Sequence, residues 1–335
     1  MKIALVMTVK NEARLLRQNL LYHLGIGIDR VFVYFDQTTD DGKETIEDLK
    51  NVVAQNSISS RKYQDKEFLK KFWENADEHH TARQCLNTYD AIQQCKQRGI
   101  DWLISLDADE LFITENAGEQ PLTAFFNESI TKSYDIVQLP TLEVVNKKMA
   151  YTNVMAEETL FKKQKRFKSK FDQLYRKVFN PYTKEYTTTS YWLGHTMGKA
   201  AINVDREIIP YNVHRYELLD GNKPKKLVTG NILHYHLYDF EDFLKKYDNF
   251  KDHPDTFLSG NKINFLKSLW IKLVNDPSYD EIYLRNYFKN NILFQQKDLN
   301  ELSKTRFFNV VKRKEEATIN ITKPKEILEG EDLGW

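Results

Sequence analysis

Trp102-Leu103-Ile104-Ser105-Leu106-Asp107-Ala108-Asp109-Glu110 is the stretch on which the reading of this chain turns. A short run of apolar and small residues leads directly into a group of carboxylates. Such a run reads as a strand buried on both faces, which leaves the acids at its carboxyl end. Asp107 and Asp109 repel each other unless a cation lies between them, and oxygen ligands of this kind suit Mg²⁺ or Mn²⁺ carrying phosphates. Acids that merely terminate a strand in water share the same spacing, so the surroundings decide.

Upstream, Ile3-Ala4-Leu5-Val6-Met7 reads as another buried strand, and Asn11-Glu12 opens a helix with Leu15, Leu16, Leu20 and Leu24 on one face, ended near Gly25 and Gly27. Val31-Phe32-Val33-Tyr34-Phe35 is the next strand, tipped by Asp36. Thr38-Thr39-Asp40-Asp41-Gly42 then supplies turn and cap chemistry before Glu44 to Leu49. From Asp77 to Arg98 the apolar residues keep helical spacing, with Gly99 placed as the residue after the last turn. Strands alternating with helices predict an α/β fold: a Rossmann-like, mostly parallel sheet with helices on both faces. Ligands in such sheets bind beyond the carboxyl ends of the strands. Lys10-Asn11-Glu12, Asp36 and Asp107-Ala108-Asp109 are all expected along that one rim.

Tyr134 to Leu139 reads as a further strand, followed by aromatic and basic segments that read as hairpins and loops. Asp239 to Tyr247, Phe265 to Val274 and Tyr283 to Phe294 carry helical periodicity, and the last twenty residues read as a surface strand or a frayed tail. The expected organisation is a nucleotide-binding α/β domain over 1–240 with a mainly helical C-terminal extension over 241–335.

The balance of the 335 residues, net charge +1, provides no global field for nucleic acid, so no nucleic-acid partner is expected. A local basic run, Lys162, Lys163, Lys165, Arg166, Lys168 and Lys170, offers a peripheral contact for lipid headgroups or an anionic acceptor. Cys85 and Cys95 lie ten positions apart on one predicted helix. Its rise sets them roughly 15 Å apart, too far for a disulfide. With no other cysteine, no oxidising-compartment framework is visible. The apolar run after Met1-Lys2 is too short for a leader, and no stretch reaches the roughly 20 apolar residues of a membrane span. The expectation is a cytoplasmic protein in which residues 162–170 form a solvated basic loop, peripheral attachment at the inner face of the membrane through that segment being the alternative.

Two aspartates seldom complete a metal site alone, and an imidazole suits Mn²⁺ better than Mg²⁺. His234 is favoured as the third ligand, ahead of His214 and His195; His234 and His236 alternate on a short strand and so are expected to face opposite sides. His195 is assigned to the acceptor side. Lys199, after the flexible Gly198, is a candidate for the positive group near a diphosphate, against the plainer reading as a surface lysine. Asp239-Phe240-Glu241-Asp242 reads as helix capping rather than as a catalytic acid pair.

Thr8-Val9-Lys10-Asn11-Glu12, Tyr34-Phe35-Asp36 with Thr39 to Thr45, and Trp102 to Phe112 together resemble the glycosyltransferase family 2-like enzymes of the GT-A fold, closest to the branch near family 92. Gly194 to Ala201, Ile232-Leu233-His234-Tyr235-His236 and Glu241-Asp242-Phe243 are similar to that branch's later signatures, so the likeness runs over about residues 1 to 250. The resemblance implies a metal-dependent glycosyltransferase that moves a sugar from a nucleotide-sugar donor, a UDP-sugar above all, to a glycan or glycolipid acceptor. It implies that Thr8, Lys10, Asn11, Glu12 and Asp36 hold the donor's base and ribose, and that Asp107 and Asp109 meet ribose and the metal-bound diphosphate, Mn²⁺ or Mg²⁺ being the cofactor. Inversion is the usual outcome in that group and needs a carboxylate base. Glu143, just past the strand after the aspartates, is the choice over Glu110. The Gln-x-x-Arg-Trp pattern of processive enzymes is missing, which favours single addition. Two alternatives stand: a nucleotidyltransferase on a similar sheet, against which the glycine-free Thr8 to Glu12 segment counts, and a non-catalytic carbohydrate-binding protein.

Overall fold

The computed structural model describes residues 1–163, 197–251, 258, 265–296 and 318–330. A seven-stranded sheet forms its centre. β1 (Ile3–Val9), β2 (Arg30–Phe35), β3 (Val52–Asn56), β4 (Trp102–Ser105), β6 (Ile136–Leu139), β9 (Lys199–Asn203) and β12 (Lys226–Val228) lie in the order β12-β6-β9-β4-β1-β2-β3. All neighbours are parallel except β9, which runs antiparallel to β4 and β6. The mostly parallel α/β sheet is as expected. β1, β2 and β4 are almost wholly buried, which is why they are continuous apolar runs.

α1 (Ala13–Gly25) turns Leu15, Leu16, Leu20 and Leu24 inward. Glu12 does not cap it; the Ala13 N–H instead donates to Asp40 Oδ2 at 2.8 Å, so the loop after β2 caps the helix after β1. A cap of this kind contributes about 1 kcal/mol, helped by an anion at a helix N-terminus. Glu44 to Leu49, expected to form a helix, yields only a 3₁₀ turn over Glu44–Ile46. α2 (His80–Arg98) ends as foreseen: Gly99 takes φ 60° and donates to the carbonyls of Cys95 and Lys96. Both cysteines are buried on this helix and free.

A second sheet, β14 (Thr318–Asn320), β8 (Leu160–Lys162), β7 (Thr141–Val144), β13 (Asn231–His234) and β5 (Glu110–Ile113), has the order β14-β8-β7-β13-β5. The turn from Asp107 to Glu110 carries the chain from β4 of the first sheet into β5 of the second. Asn19 of α1, fully buried, pins that turn by donating to the carbonyls of Ala108 and Glu110 at 2.9 and 2.8 Å. Trp102, Phe112, Phe125 and Phe126 pack beneath it. Truncating one such ring to alanine costs about 3–5 kcal/mol.

β10 (Ile208–Asn212) and β11 (Arg215–Leu218) form a hairpin. Three helices, α3 (Phe240–Asp248), α4 (Phe265–Asn275) and α5 (Glu281–Asn291), share an aromatic cluster that includes Phe240, Phe243, Trp270 and Phe288. Asp239 caps α3, accepting from the Asp242 N–H. Beyond them the chain returns to the body: β14 completes the second sheet and α6 (Lys323–Glu329) packs on α1, so the tail is a strand followed by a helix. No helix among the described residues is long and apolar enough to cross a membrane. Of the basic run, Lys162 is buried in β8 with its ammonium over the Phe294 ring, which removes it from any lipid-facing surface. Residues 164–170 lie outside the described residues.

Candidate functional site

The loops after β1, β2 and β4 bring their polar residues to one rim, and the second sheet closes it from the side. Asp36, at the end of β2, is buried and takes a two-point ion pair from Arg83 of α2, Nε to Oδ1 at 2.7 Å and a terminal nitrogen to Oδ2 at 3.0 Å. Thr8 accepts from Asn87 Nδ2 at 3.0 Å. Asn11 adopts φ 56°, and its side-chain oxygen accepts from the Thr39 N–H at 2.8 Å, which ties the loop after β1 to the loop after β2. Lys10 lies half-buried between them.

Asp107 and Asp109 diverge. Asp107 Oδ1 accepts from Gln84 Nε2 and Oδ2 from Lys199 Nζ, both at 2.7 Å. Lys199 is the first residue of β9 and is 1% exposed, so it is no surface lysine; its ammonium also lies 3.5 Å from Glu110 Oε2. Burial pushes the Glu110 carboxyl up to about 7 despite that neighbour. Burial also opposes ionisation of Asp107, but Lys199 outweighs it and holds the carboxyl down at about 2.

Asp109 faces the other way. Its Oδ2 lies 3.4 Å from His234 Nε2 and accepts from Lys246 Nζ of α3 at 2.8 Å. Asp109, His234 and His236 each offer a ligand atom, all within 4.8 Å of one another. Of the expected metal set, Asp109 and His234 converge here together with His236, whereas Asp107 lies with Lys199 and Gln84. The alternation argument against His236 fails because β13 ends at His234 and the chain then turns, with Leu237 at φ 49°. The two rings sit 5.3 Å apart on the same side. His214 Nδ1 lies 3.0 Å from the Gly198 carbonyl, near enough to Asp107 to help hold that carboxyl down, and His195 lies outside the described residues.

Glu143 on β7 stands behind His234, its Oε1 accepting from Nδ1 at 2.9 Å. Strand register explains the contact: Glu143 is opposite His234 on one side and Lys162 on the other. Burial disfavours the Glu143 anion, yet His234 holds its carboxyl far below the usual range. Burial likewise disfavours a charged His234, while Glu143 and Asp109 lift its pKa well above that of a free imidazole. For His236, burial, Lys246 and His234 all act in one direction and keep the ring neutral. Glu143, the expected catalytic base, is thus a buried anion hydrogen-bonded to an imidazole.

Three further charged groups close this corner. Glu12 accepts from Lys245 Nζ at 2.8 Å, and burial raises its carboxyl to about 7. Asp242, 3% exposed, keeps Oδ2 without a hydrogen-bond partner, while Oδ1 lies 3.4 Å from Lys245. Arg14 of α1 clamps Asp239 at 2.7 Å and so fixes where α3 begins. Neither Arg83 nor Lys246 is singled out in the sequence, and Asp242 is read there as part of a helix-capping pattern. The one available sign was the pair Lys245-Lys246 on the polar face of a predicted helix.

The profile of glycosyltransferase family 92 matches residues 6–267. Two glycosyltransferase-like proteins of Arabidopsis thaliana are similar: one is 29% identical over 170 residues, covering 50% of this chain and 32% of that protein. The other is 25% identical over 243 residues, covering 68% and 52%. The chain thus spans about half or less of the length of these relatives. Among solved structures, S. aureus TarS 1–349 is similar with a TM-score of 0.35 and 11% identity, covering 91% of this chain and 80% of that one. Glucosyl-3-phosphoglycerate synthase from Mycobacterium tuberculosis, crystallised with Mn²⁺, UDP and phosphoglyceric acid, gives 0.27 and 11%, covering 61% and 56%.

Proposed function

The chain belongs to glycosyltransferase family 92, and from that premise we propose that it is a GT-A enzyme of the family 2-like group that moves a sugar from a UDP-sugar to a hydroxyl of a glycan or glycolipid acceptor, by single addition with inversion. The observation that carries this reading is the convergence of Asp109, His234 and His236 beside the rim where β1, β2 and β4 end. One carboxylate and two imidazoles form a donor set that a divalent cation fits, Mn²⁺ better than Mg²⁺. Bound there, the cation would neutralise charge on the departing diphosphate.

The remaining work falls to the chain itself. Glu143 fixes the His234 ring through Nδ1 and leaves Nε2 toward Asp109, the usual support behind a ligating imidazole. Lys199 and Gln84 hold Asp107 as an oriented acceptor for the donor's ribose. Asp36 is charge-balanced by Arg83, so it can accept a hydrogen bond from the base without leaving an uncompensated buried charge. Asp242 replaces Glu143 as the candidate base because its Oδ2 has spare acceptor capacity, and burial raises its carboxyl.

The test is to incubate the protein with a panel of UDP-sugars, with Mn²⁺ or with EDTA, and to measure released UDP. Release that depends on Mn²⁺ and falls about 100-fold or more in Asp109→Asn is expected. Pyrophosphate released from a nucleoside triphosphate, or donor binding unchanged in EDTA, would overturn the proposal in favour of nucleotidyl transfer or a binding protein.

A further inference from the structure

Lys246 already stands where a cation is called for. Its ammonium lies 2.8 Å from Asp109 Oδ2 and 3.2 Å from His236 Nδ1, so it touches two of the three side chains that could ligate a metal. A divalent ion held by those same side chains would sit within a few ångströms of this positive charge, and the two cations repel. The lone pair of His236 Nδ1 cannot take an ammonium proton and a metal at once. One occupant must yield. The lysine is the one able to move, being carried on a flexible four-carbon stem with its side chain 25% exposed.

The helix that carries it is well anchored. α3 has nine residues, starts at the Asp239 cap and is clamped through Asp239 by Arg14. Its other inward lysine, Lys245, is bonded to Glu12 rather than to Asp109. Lys246 can therefore change partners without α3 moving, and it would leave Asp109 carrying a positive charge at the mouth of the diphosphate site.

We propose that Lys246 is a displaceable internal cation: it holds Asp109 and His236 in place before a divalent ion arrives, is expelled when the ion binds, and then takes a diphosphate oxygen of the donor. The inference rests on the metal and nucleotide reading of the previous subsection. It makes metal and nucleoside diphosphate bind cooperatively, since each favours the state in which the lysine has left Asp109.

The experiment measures Mn²⁺ affinity by electron paramagnetic resonance of free Mn²⁺, with and without UDP, in the wild type, Lys246→Met and Lys245→Met. In Lys246→Met without UDP, Mn²⁺ should bind about tenfold more tightly than in the wild type, and the gain that UDP confers should shrink, because the competitor and the shared partner are both gone. A merely structural lysine would give the opposite sign, weaker binding. Lys245→Met removes the same charge one residue away and should change the affinity less than about threefold. Unchanged or weaker binding in Lys246→Met, or equal tightening in Lys245→Met, overturns the proposal. If Mn²⁺ binds the wild type while Lys246→Met behaves identically, only this inference falls; if Mn²⁺ binds none of the three proteins even with UDP, the metal reading falls with it. Lys246→Gln replaces the methionine variant should the latter fail to fold, as read by thermal melting.

Discussion

Replacing Lys199 with methionine would test whether the aspartate turn is held together by a buried charge. In the wild type the ammonium is 1% exposed, 2.7 Å from Asp107 Oδ2 and 3.5 Å from Glu110 Oε2. Removing one partner of a buried ion pair costs about 3–5 kcal/mol. The share belonging to Asp107 is the smaller, because 41% of its side chain reaches solvent, whereas Glu110 is 3% exposed and has no such relief. The sign of the pH dependence follows. Burial sets the Glu110 carboxyl at about 7 in the folded protein, above its ordinary 4.5. Its ionisation therefore erodes stability as pH rises between those values, and without Lys199 the folded value climbs further and the erosion extends to higher pH. The loss in Lys199→Met should be about 3 kcal/mol at pH 8, lowering the melting temperature by about 6 °C, and about half of that at pH 5, where Glu110 is already protonated. Urea unfolding at the two pH values measures it. Adding Glu110→Gln should restore much of the loss at pH 8, since glutamine can still accept from the Asp107 N–H that Glu110 now satisfies. Equal losses at both pH values, or no recovery in the double variant, would refute the reasoning.

Mn²⁺ affinity should rise by up to about tenfold per pH unit from pH 6 to 8, because the proton that Glu143 and Asp109 stabilise on His234 must leave before the ring can ligate; a flat titration would exclude His234 from the metal. Without metal, the same raised pKa gives stability that is complete below the unfolded value of about 6.5 and is lost as pH passes the folded one, so EDTA-treated protein should unfold more easily at pH 9 than at pH 6. Glu143→Gln should weaken Mn²⁺ binding about 10–100-fold, as loss of support behind a ligating imidazole does, and calorimetry would show it. Gly198→Ala should be severely destabilised: Gly198 adopts φ 64° and a Cβ there would collide with the Leu139 carbonyl oxygen, so soluble protein melting within about 2 °C of the wild type, roughly 1 kcal/mol, would contradict the geometry.

Much of the fold was legible because its central strands are buried on both faces. Ile3 to Met7, Val31 to Phe35 and Trp102 to Leu106 could hardly be anything else, and Gly99 and Asp239 announced the end of one helix and the start of another. β3 escaped notice because Val52–Asn56 is an edge strand, half-buried at most, with only two apolar residues beyond its alanine. The hairpin of β10 and β11 and the tail helix α6 lay in weakly patterned sequence.

Within the site, the aspartate pair and His234 were visible from residue type and spacing. Their division of labour was not. That Asp107 belongs to Lys199 and Asp109 to the histidines depends on β9 and β13 arriving from nearly a hundred residues or more downstream. His236 was set aside on strand alternation, a rule that ceases to apply where the strand stops at His234. For Glu143, register across β7 and β13, invisible in one sequence, sets it opposite His234 and hydrogen-bonded to that imidazole. The Asp36–Arg83 pair joins residues 47 positions apart for the same reason.

β9 lies between β4 and β6 although it is made after both, and it alone among the described strands runs against the grain of the central sheet. On the ribosome, the first four strands can assemble early, but β4 must then keep an apolar edge unpaired until residues 199–203 emerge and slot in beside it. Nascent chains stalled before that point should be sticky and protease-sensitive, and those released after it should not. The strand that seals the sheet also delivers Lys199 to Asp107, so the enzyme's first aspartate acquires its partner in the same event that makes the polypeptide safe to let go.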